Sequence, residues 1–265
     1  GTTFNGDGRF VVCDAHTMKR LVARDMPFYA NIDTSTGATQ SSKSTLCWPQ
    51  HIVVVSPEKA YIQYSTADNE SHSGIRIVDL QTNIIRTSDI PGTFGVFTKT
   101  GATKARMIFS RGKVFAGRGN SVIVLDPATD AVIKTVTYEN RQVKDLAKGY
   151  DGKIYAIFTG EFTGNSGMTG AASFTKPAMI VALDANGEVV SETNLPEQIE
   201  LRTGTASPTV QMCASFTQPH LYFIGKQDFS AYEAMRYNYE TGKVNWDYIT
   251  ADLDADHSGG DIIYG

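Results

Sequence analysis

The sequence predicts an all-β fold, a β-propeller built from four-stranded antiparallel blades, and three observations predict it. Apolar segments of strand length recur along the chain and alternate with polar turns. The same order of segments and turns returns several times at a long period, as it does in propeller blades. No segment places apolar residues at helical spacing over enough turns to predict a helix.

The clearest copy of the repeat covers residues 121–136, where an apolar strand, a polar turn beginning with Asp126 and a second strand follow one another. An Asp or Asn side chain at this point can accept hydrogen bonds from main-chain N–H groups two residues further on, and a Thr, Asn or Gly closes the hairpin. Other copies of the turn begin with Asp14, Asp79, Asp184 and Asn238. These residues are therefore predicted to be structural.

Two more strands precede most of these turns. One of them contains or follows a polar turn, at residues 58–64, 112–117, 151–157 and 218–224. The other lies just before it, at residues 51–55, 106–109, 143–147 and 210–214. Together with the strands on either side of the Asp or Asn turn, they make four strands in each blade.

The spacing of the turn residues predicts the number of blades. Positions 14, 79, 126, 184 and 238 are separated by 65, 47, 58 and 54 residues, and a four-stranded blade needs about 40. Five blades are therefore expected, with residues 1–265 as a single domain. Residues 261–264 would pair with the strand at 10–14, so that the N- and C-terminal strands close the ring. Six or seven blades are expected if the sequence is a fragment or hides a blade.

Composition excludes several classes of protein. The 265 residues are 41% hydrophobic and 20% charged, which fits neither a disordered chain nor a disulfide-rich miniprotein. The formal net charge of −4 argues against nucleic acid as a partner. No apolar run reaches about 18 residues, so no segment of this sequence is expected to span a membrane.

Cysteine and histidine usage predicts no metal centre. The three cysteines, Cys13, Cys47 and Cys213, cannot form a complete set of intramolecular disulfides, although one pair could bridge. None of the five histidines lies at zinc-ligand spacing from another His or from Cys. Carboxylates alternate at residues 252–256, but an EF-hand loop would need Gly where His257 stands. A solvated acidic turn is expected there, and a partial Ca²⁺ site is the alternative.

The N-terminal residues 2–8 are polar and lack the basic and apolar regions of a leader. A composition rich in Thr, Ser, Asn and Gly is associated with exported bacterial proteins. We therefore expect an exported protein, at the cell surface or in the periplasm, whose signal or anchor is absent from this sequence.

The starts of the innermost strands carry the first group of candidate ligand-binding residues. In a propeller these strands line the central axis, and polar side chains at the channel mouth can orient an anion, an amide or a sugar. Aligning the strands brings six polar residues to comparable positions: Gln50, His51, Arg106, Lys144, Asp145 and Gln211. Asp256 and His257 would be a further contribution. The alternative is that these groups only solvate a water-filled channel.

Two long insertions supply the second group of candidates, because extra length in a propeller goes to loops at one face. Residues 25–49 contain Trp48, and the Gly-rich residues 159–177 contain Phe162 and Phe174. Two shorter segments could complete the rim of a pocket, at residues 91–104 and 196–208. Aromatic rings on such a rim could stack on a ligand. The alternative is a mobile surface loop.

Enzyme motifs are sparse, which favours a noncatalytic role. The sequence contains no nucleophile elbow, no metalloprotease helix motif and no P-loop. A glycosidase would need two carboxylates about 5 to 9.5 Å apart. The candidates for such a pair are Asp145, Asp151, Glu161 and Asp228. No cofactor is identified.

Residues 112–115 and 120–129, echoed at 151–155, resemble the repeats of the YncE-like bacterial β-propellers, also labelled surface-layer or quinoprotein-type repeats. Similar domains occur in surface lipoproteins of gut Bacteroidetes. The resemblance covers residues 50–190 best, and it departs from the family in blade number, since members typically have seven. It implies a propeller fold rather than a chemistry. Quinone-dependent dehydrogenases of this type are usually longer and carry vicinal cysteines, which are absent here.

We expect an exported, noncatalytic binding propeller that captures a small molecule, a glycan or a protein partner on one face. The resemblance implies an outer-membrane transporter or another surface protein as a partner to which a captured nutrient, such as a corrinoid or a glycan, would pass. The alternatives are a glycoside-active enzyme with axial carboxylates and a purely structural interaction module.

Overall fold

The computed structural model describes residues 9–26, 47–66, 72–93, 95–96, 106–163, 173–196, 211–226 and 232–245. Every regular element in these ranges is a β-strand, and all pairing is antiparallel. None of these residues forms a helix long and apolar enough to cross a membrane. The chain divides into two compact units, unit 1 (residues 1–98) and unit 2 (residues 99–265).

Unit 1 contains a hairpin and a larger sheet. The hairpin pairs β1 (Arg9–Cys13) with β2 (Arg20–Asp25). The sheet has the order β3 (Cys47–Ser56), β4 (Lys59–Thr66), β5 (His72–Asp79) and β6 (Ile84–Asp89), and the short β7 (Gly95–Val96) also pairs with β5. The path β3 to β6 is therefore one four-stranded meander, as the repeat predicts.

Unit 2 contains three four-stranded meanders. The first is β8 (Ile108–Ser110), β9 (Lys113–Arg118), β10 (Ser121–Asp126) and β11 (Ala131–Thr137). The second is β12 (Val143–Lys148), β13 (Ile154–Phe158), β16 (Met179–Leu183) and β17 (Val189–Asn194). The third is β18 (Gln211–Ala214), β19 (His220–Lys226), β20 (Tyr232–Asn238) and β21 (Lys243–Asn245). Between β13 and β16 the chain forms a separate two-stranded ribbon, β14 (Glu161–Thr163) and β15 (Ser173–Lys176).

The predicted turn chemistry is confirmed at all five positions. The side-chain oxygen of Asp126 accepts a hydrogen bond from Ala128 N at 2.9 Å, and Asn238 Oδ1 accepts from Glu240 N and Thr241 N at 3.0 Å. The same local bonds are made by Asp14, Asp79 and Asp184. They lower the pKa of each of these three carboxyl groups, with the main-chain N–H groups of Thr17, Thr82 and Glu188 as the largest respective causes. The repeated Asp therefore stabilises the hairpin turn that follows it.

The core of unit 2 lies between its sheets. One apolar cluster joins the first and second sheets through Phe115, Val124, Phe158 and their neighbours. Another joins the second and third sheets through residues such as Ile157 and Phe223. The central strands β13 and β16 are buried along their whole length, whereas β17 is mostly exposed. The second sheet therefore buries both faces and leaves its outermost strand in water, as a propeller blade does.

Unit 1 has its own core, formed by residues of both its sheets, including Phe10, Ile62 and Tyr64. It also encloses a charged pair. Arg76, only 1% exposed, donates from Nε to Asp89 Oδ1 at 3.2 Å, and its guanidinium lies 4.4 Å from the centre of the Tyr64 ring. The Tyr64 hydroxyl donates to Asp89 at 2.7 Å. This buried charge is compensated locally and is structural.

The all-β fold and its four-stranded antiparallel sheets are confirmed. Residues 261–264, on which the predicted ring closure depends, lie outside the described ranges. The blade count and the closure therefore stay predictions.

Candidate functional site

The strand registers show where three of the predicted inner-strand residues lie. His51 pairs with Gln63, Asp145 with Ile157 and Gln211 with Ile224. The Asp145 and Gln211 pairs lie three rungs from the last rung before their hairpin turns, and the His51 pair lies four rungs from its own. Arg106 lies two residues before β8, one residue further from the hairpin turn of its sheet than Asp145 and Gln211 are from theirs.

Two of the candidates occupy β-bulges. The ladder of β3 passes from Pro49 directly to His51, and the ladder of β12 passes from Val143 directly to Asp145. Gln50 and Lys144 are therefore the extra residues at equivalent irregularities in two innermost strands. Bulges of this kind redirect a side chain and are common beside functional sites.

Asp145 connects the inner strands of all three sheets of unit 2. Its Oδ2 accepts from Arg106 Nη2 at 2.7 Å and from the main-chain N–H of Met212 at 2.8 Å. Its Oδ1 accepts from Arg106 N and Nε at 3.1 and 3.2 Å and from Leu146 N at 2.9 Å. The Asp145 side chain is only 3% exposed, and its charge-assisted hydrogen bonds hold Arg106 and the main chain of Met212 together. We call this set of hydrogen bonds the Asp145 latch. The structure thus brings Arg106 and Asp145 together and places Gln211 next to them in β18.

Lys144 directly precedes Asp145 and is the extra residue of the bulge in β12. It is half-buried on β12, beside Asp145, and no ion pair to it occurs among the described residues. Loss of water around the side chain lowers the pKa of Lys144 to about 8. The Arg106–Asp145 ion pair has no net charge, so Lys144 is the uncompensated charge of this stretch of β12 among the described residues.

Cys213 lies near Arg106 and Asp145, and the sequence did not predict it as a ligand-binding residue. Burial raises the pKa of its thiol; the Arg106 charge opposes this effect and the Asp145 charge adds to it. Cys213 and Cys13 are both unbridged. With a raised pKa the thiol of Cys213 is a weak nucleophile, which gives it a packing role beside the latch.

In unit 1, Gln50 and His51 line an open groove of about 450 Å³. Its other wall comes from β1, with Arg9, Phe10 and Val11. The exposed Arg9 side chain is held by Asp25, with Nε and Oδ1 2.7 Å apart. These two candidates thus contribute to a groove between a hairpin and a sheet of the same unit.

The insertion at residues 159–177 starts and ends in the β14–β15 ribbon, where Phe162 and Phe174 are directly opposite register partners. Sequence analysis predicted neither strand. It also missed the ribbon's anchor, the buried Arg141, whose Nη1 donates to the carbonyl groups of Thr159 and Pro177 at 2.7 and 2.8 Å. A lone Arg before a strand gives no sequence signal for such a clamp.

The remaining predicted rim residues lie wholly or partly outside the described part of the chain. Trp48 lies in β3 opposite Ser65, and only its backbone is described. Most of the insertion at 25–49, and the segments 97–104 and 197–208, lie outside the described residues, as do Asp256 and His257.

The carboxylates considered for glycosidase chemistry are engaged in separate local contacts. Asp151 accepts from Lys153 Nζ at 2.7 Å and from the Tyr155 hydroxyl at 2.9 Å, in the turn beyond the far end of β12 from Asp145. That length of strand separates the two by about 10 Å or more. Glu161 accepts from Lys176 Nζ at 2.8 Å on the ribbon. Asp228 is outside the described residues, and no group of metal-ligating side chains occurs within them.

Comparison with protein families gives a match over residues 3–265 to the family described as Domain of unknown function (DUF5074). The chain belongs to the DUF5074 family. None of the curated proteins compared with this DUF5074 chain matches it.

The DUF5074 chain is also similar to a solved structure, the hydrazine synthase of Kuenenia stuttgartiensis. The TM-score is 0.51 at 13% sequence identity, over 89% of this chain and 58% of the other. The chain therefore spans less than two thirds of that protein's length. At this identity the likeness concerns the fold alone, and it supports a propeller-like fold for DUF5074.

Proposed function

We propose that this DUF5074 protein is an exported, noncatalytic β-propeller that binds an acid-bearing ligand at the inner-strand ends of unit 2. One observation carries the proposal: the Asp145 latch fixes Arg106 in a partly exposed position, and Lys144, the residue before Asp145, has no ion-pair partner among the described residues. The ligand would be a small molecule, a glycan or a segment of a partner protein that presents a carboxylate or phosphate.

The geometry of Arg106 supports binding. Its side chain is 40% exposed, although Nε and Nη2 are both bonded to Asp145. A guanidinium held in this way loses little conformational freedom when a second acceptor approaches, so its orientation is prepared in advance. Gln211, half-buried in β18, adds an amide that can donate or accept.

Charge supports the same class of ligand. A partly desolvated ammonium group is unfavourable without a counter-ion, and an incoming anion would relieve that cost. The pKa of Lys144 near 8 leaves the side chain mostly protonated at neutral pH. The site is therefore suited to attract an anion and to release it as pH rises.

The contacts of the candidate carboxylates favour binding over glycoside hydrolysis. Asp145 accepts five hydrogen bonds from Arg106, Leu146 and Met212. A carboxylate so occupied has no lone pair positioned for a nucleophilic role, and its ion pair opposes the protonation that a general acid needs.

The proposal also covers the number of blades, the closure of the ring, the family relationship and the location of the protein. We propose five blades, with residues 261–264 beside β1 closing the ring, and a relationship to the YncE-like propellers. A cell-surface or periplasmic location and transfer of the ligand to an outer-membrane transporter rest on that resemblance.

Thermal unfolding with a ligand panel tests the proposal. The panel contains corrinoids, tetrapyrroles, pyrroloquinoline quinone, oligosaccharides and Ca²⁺, each for wild type, Lys144→Gln and Lys148→Gln. Lys148 is the matched control, since it is exposed on the same strand. A ligand at 100 times its Kd stabilises the fold by about 2.7 kcal/mol.

We expect an acid-bearing member to raise Tm for wild type and Lys148→Gln and to raise it much less for Lys144→Gln. If no member of the panel changes Tm, we would instead assign the protein a protein partner or a structural role. An equal shift for Lys144→Gln would contradict the assigned site.

A further inference from the structure

A second cluster lies at the other end of β12, in the turns that follow β12 and β20. Three tyrosine rings stack on one another there. Tyr155 and Tyr239 have ring centres 4.4 Å apart with planes inclined by 27°, and Tyr150 and Tyr239 have centres 6.1 Å apart with planes inclined by 28°. The stack joins the second and third sheets of unit 2.

The inner part of the stack is tightly built. An added Cβ at Gly149 would lie 2.6 Å from Tyr155 Cε2 and 2.7 Å from Asp151 Oδ1, so only glycine lets the rings close. Burial, followed by the nearby Asp151 charge, raises the pKa of Tyr239 to about 12. Burial also opposes ionisation of Asp151, but hydrogen bonds from Lys153 and Tyr155 outweigh it and lower the pKa of Asp151.

The outer ring is exposed but fixed. Tyr150 has 47% of its surface accessible, and its hydroxyl donates to Glu240 Oε1 at 2.7 Å. The stack on one side and this hydrogen bond on the other hold the ring in one orientation. Binding to a fixed ring avoids the entropy cost of ordering a mobile one.

We propose that Tyr150 is the stacking platform of a second binding site, which takes an uncharged pyranose ring. The apolar C–H face of a sugar would lie on the exposed ring, and its hydroxyl groups would donate to the remaining acceptor positions of Glu240. Two carboxylates, Asp151 and Glu240, flank the platform, so acidic sugars are repelled. The site is separate from the Arg106–Lys144 cluster and does not depend on it.

Affinity electrophoresis tests this site. The full chain is run in native gels that contain mixed-linkage β-glucan, xylan, galactomannan or amylopectin, and in a gel with polygalacturonate as the acidic comparison. The variants are Tyr150→Ala, Tyr150→Phe, Lys144→Gln and the control Phe109→Ala, which removes another exposed ring of unit 2. Thermal unfolding of each variant verifies that it is folded.

We expect retardation by at least one neutral polysaccharide and none by polygalacturonate. Tyr150→Ala should weaken the affinity about tenfold or more, whereas Tyr150→Phe should keep most of it because the ring remains. Lys144→Gln and Phe109→Ala should behave as wild type, which separates this site from the proposed function. Absence of retardation in all four neutral gels, or undiminished retardation of Tyr150→Ala, would overturn the proposal, as would equal binding to polygalacturonate.

Discussion

Asp145 is the residue on which the inner strands of unit 2 converge. Its carboxylate is buried and accepts hydrogen bonds from Arg106 just before β8, from Leu146 in its own strand and from Met212 in β18. Leaving a buried main-chain N–H group or a guanidinium without its acceptor lowers the free energy of unfolding. One side chain therefore fixes both the packing of three sheets and the orientation of Arg106.

Replacing Asp145 with Ala should lower the free energy of unfolding by about 3 kcal/mol, because it leaves Met212 N and a partly buried Arg106 without their acceptor. Urea denaturation measures this change. Glu139→Ala, at an exposed turn of the same unit, should change it by less than about 0.5 kcal/mol. A loss below about 1 kcal/mol for Asp145→Ala would show that the latch is not needed for packing.

Lys144 makes stability depend on pH. Its pKa is about 8 in the folded protein and about 10.4 in an unfolded chain. The unfolded state therefore binds more protons between these values, and the wild type gains stability as pH rises from about 8 to about 10.

At pH 7 Lys144→Met should be more stable than wild type by about 1–2 kcal/mol, and the difference should shrink towards pH 10. Paired urea denaturation curves at both pH values measure it. A difference that is the same at both values would mean that Lys144 is not desolvated.

At the level of elements, the hairpin turns and the central strands could be predicted from the sequence because both depend on local chemistry. An Asp that accepts hydrogen bonds from the N–H groups of its own turn is recognisable from residue type and position, and a strand buried on both faces gives a short continuous apolar run. The bulge at Lys144, the Arg141 clamp and the tyrosine stack could not be predicted in this way. They depend on which residues distant strands bring together.

The hairpin turn after β10 gives a direct test of this local chemistry. Asp126→Asn should be nearly neutral, since Asn238 already fills the same role in the third sheet of unit 2. Asp126→Ala removes the acceptor and should cost about 1 kcal/mol. Thermal unfolding compares the two variants, and an equal loss for both would indicate that the charge matters rather than the hydrogen bonds.

At the scale of the whole molecule, the family match covers residues 3–265, and the likeness to a solved structure covers 89% of the chain. The single domain expected from the sequence stays a prediction. The four meanders follow one another at the spacing that the turn residues predict. Ring closure is the step that would pair β1 with residues 261–264 and complete a propeller.

If residues 261–264 close the ring beside β1, Ile262 and Ile263 alternate between its two faces. Replacing both with Asn should then lower Tm by about 5–10 °C, since about 1 kcal/mol corresponds to 2–4 °C in a protein of this size. Differential scanning calorimetry measures it, with Asp261→Asn as the control. An unchanged Tm for the double variant would contradict closure by this segment.

The dissociation constant of an acid-bearing ligand, taken from the panel and measured by titration calorimetry at pH 7, tests the central claim most directly. Binding at the Arg106–Lys144 cluster predicts that Lys144→Gln weakens affinity about tenfold or more, because a charge-assisted hydrogen bond contributes about 1.5–3 kcal/mol. Lys148→Gln should bind as wild type does. Equal affinity for Lys144→Gln and wild type would contradict the claim.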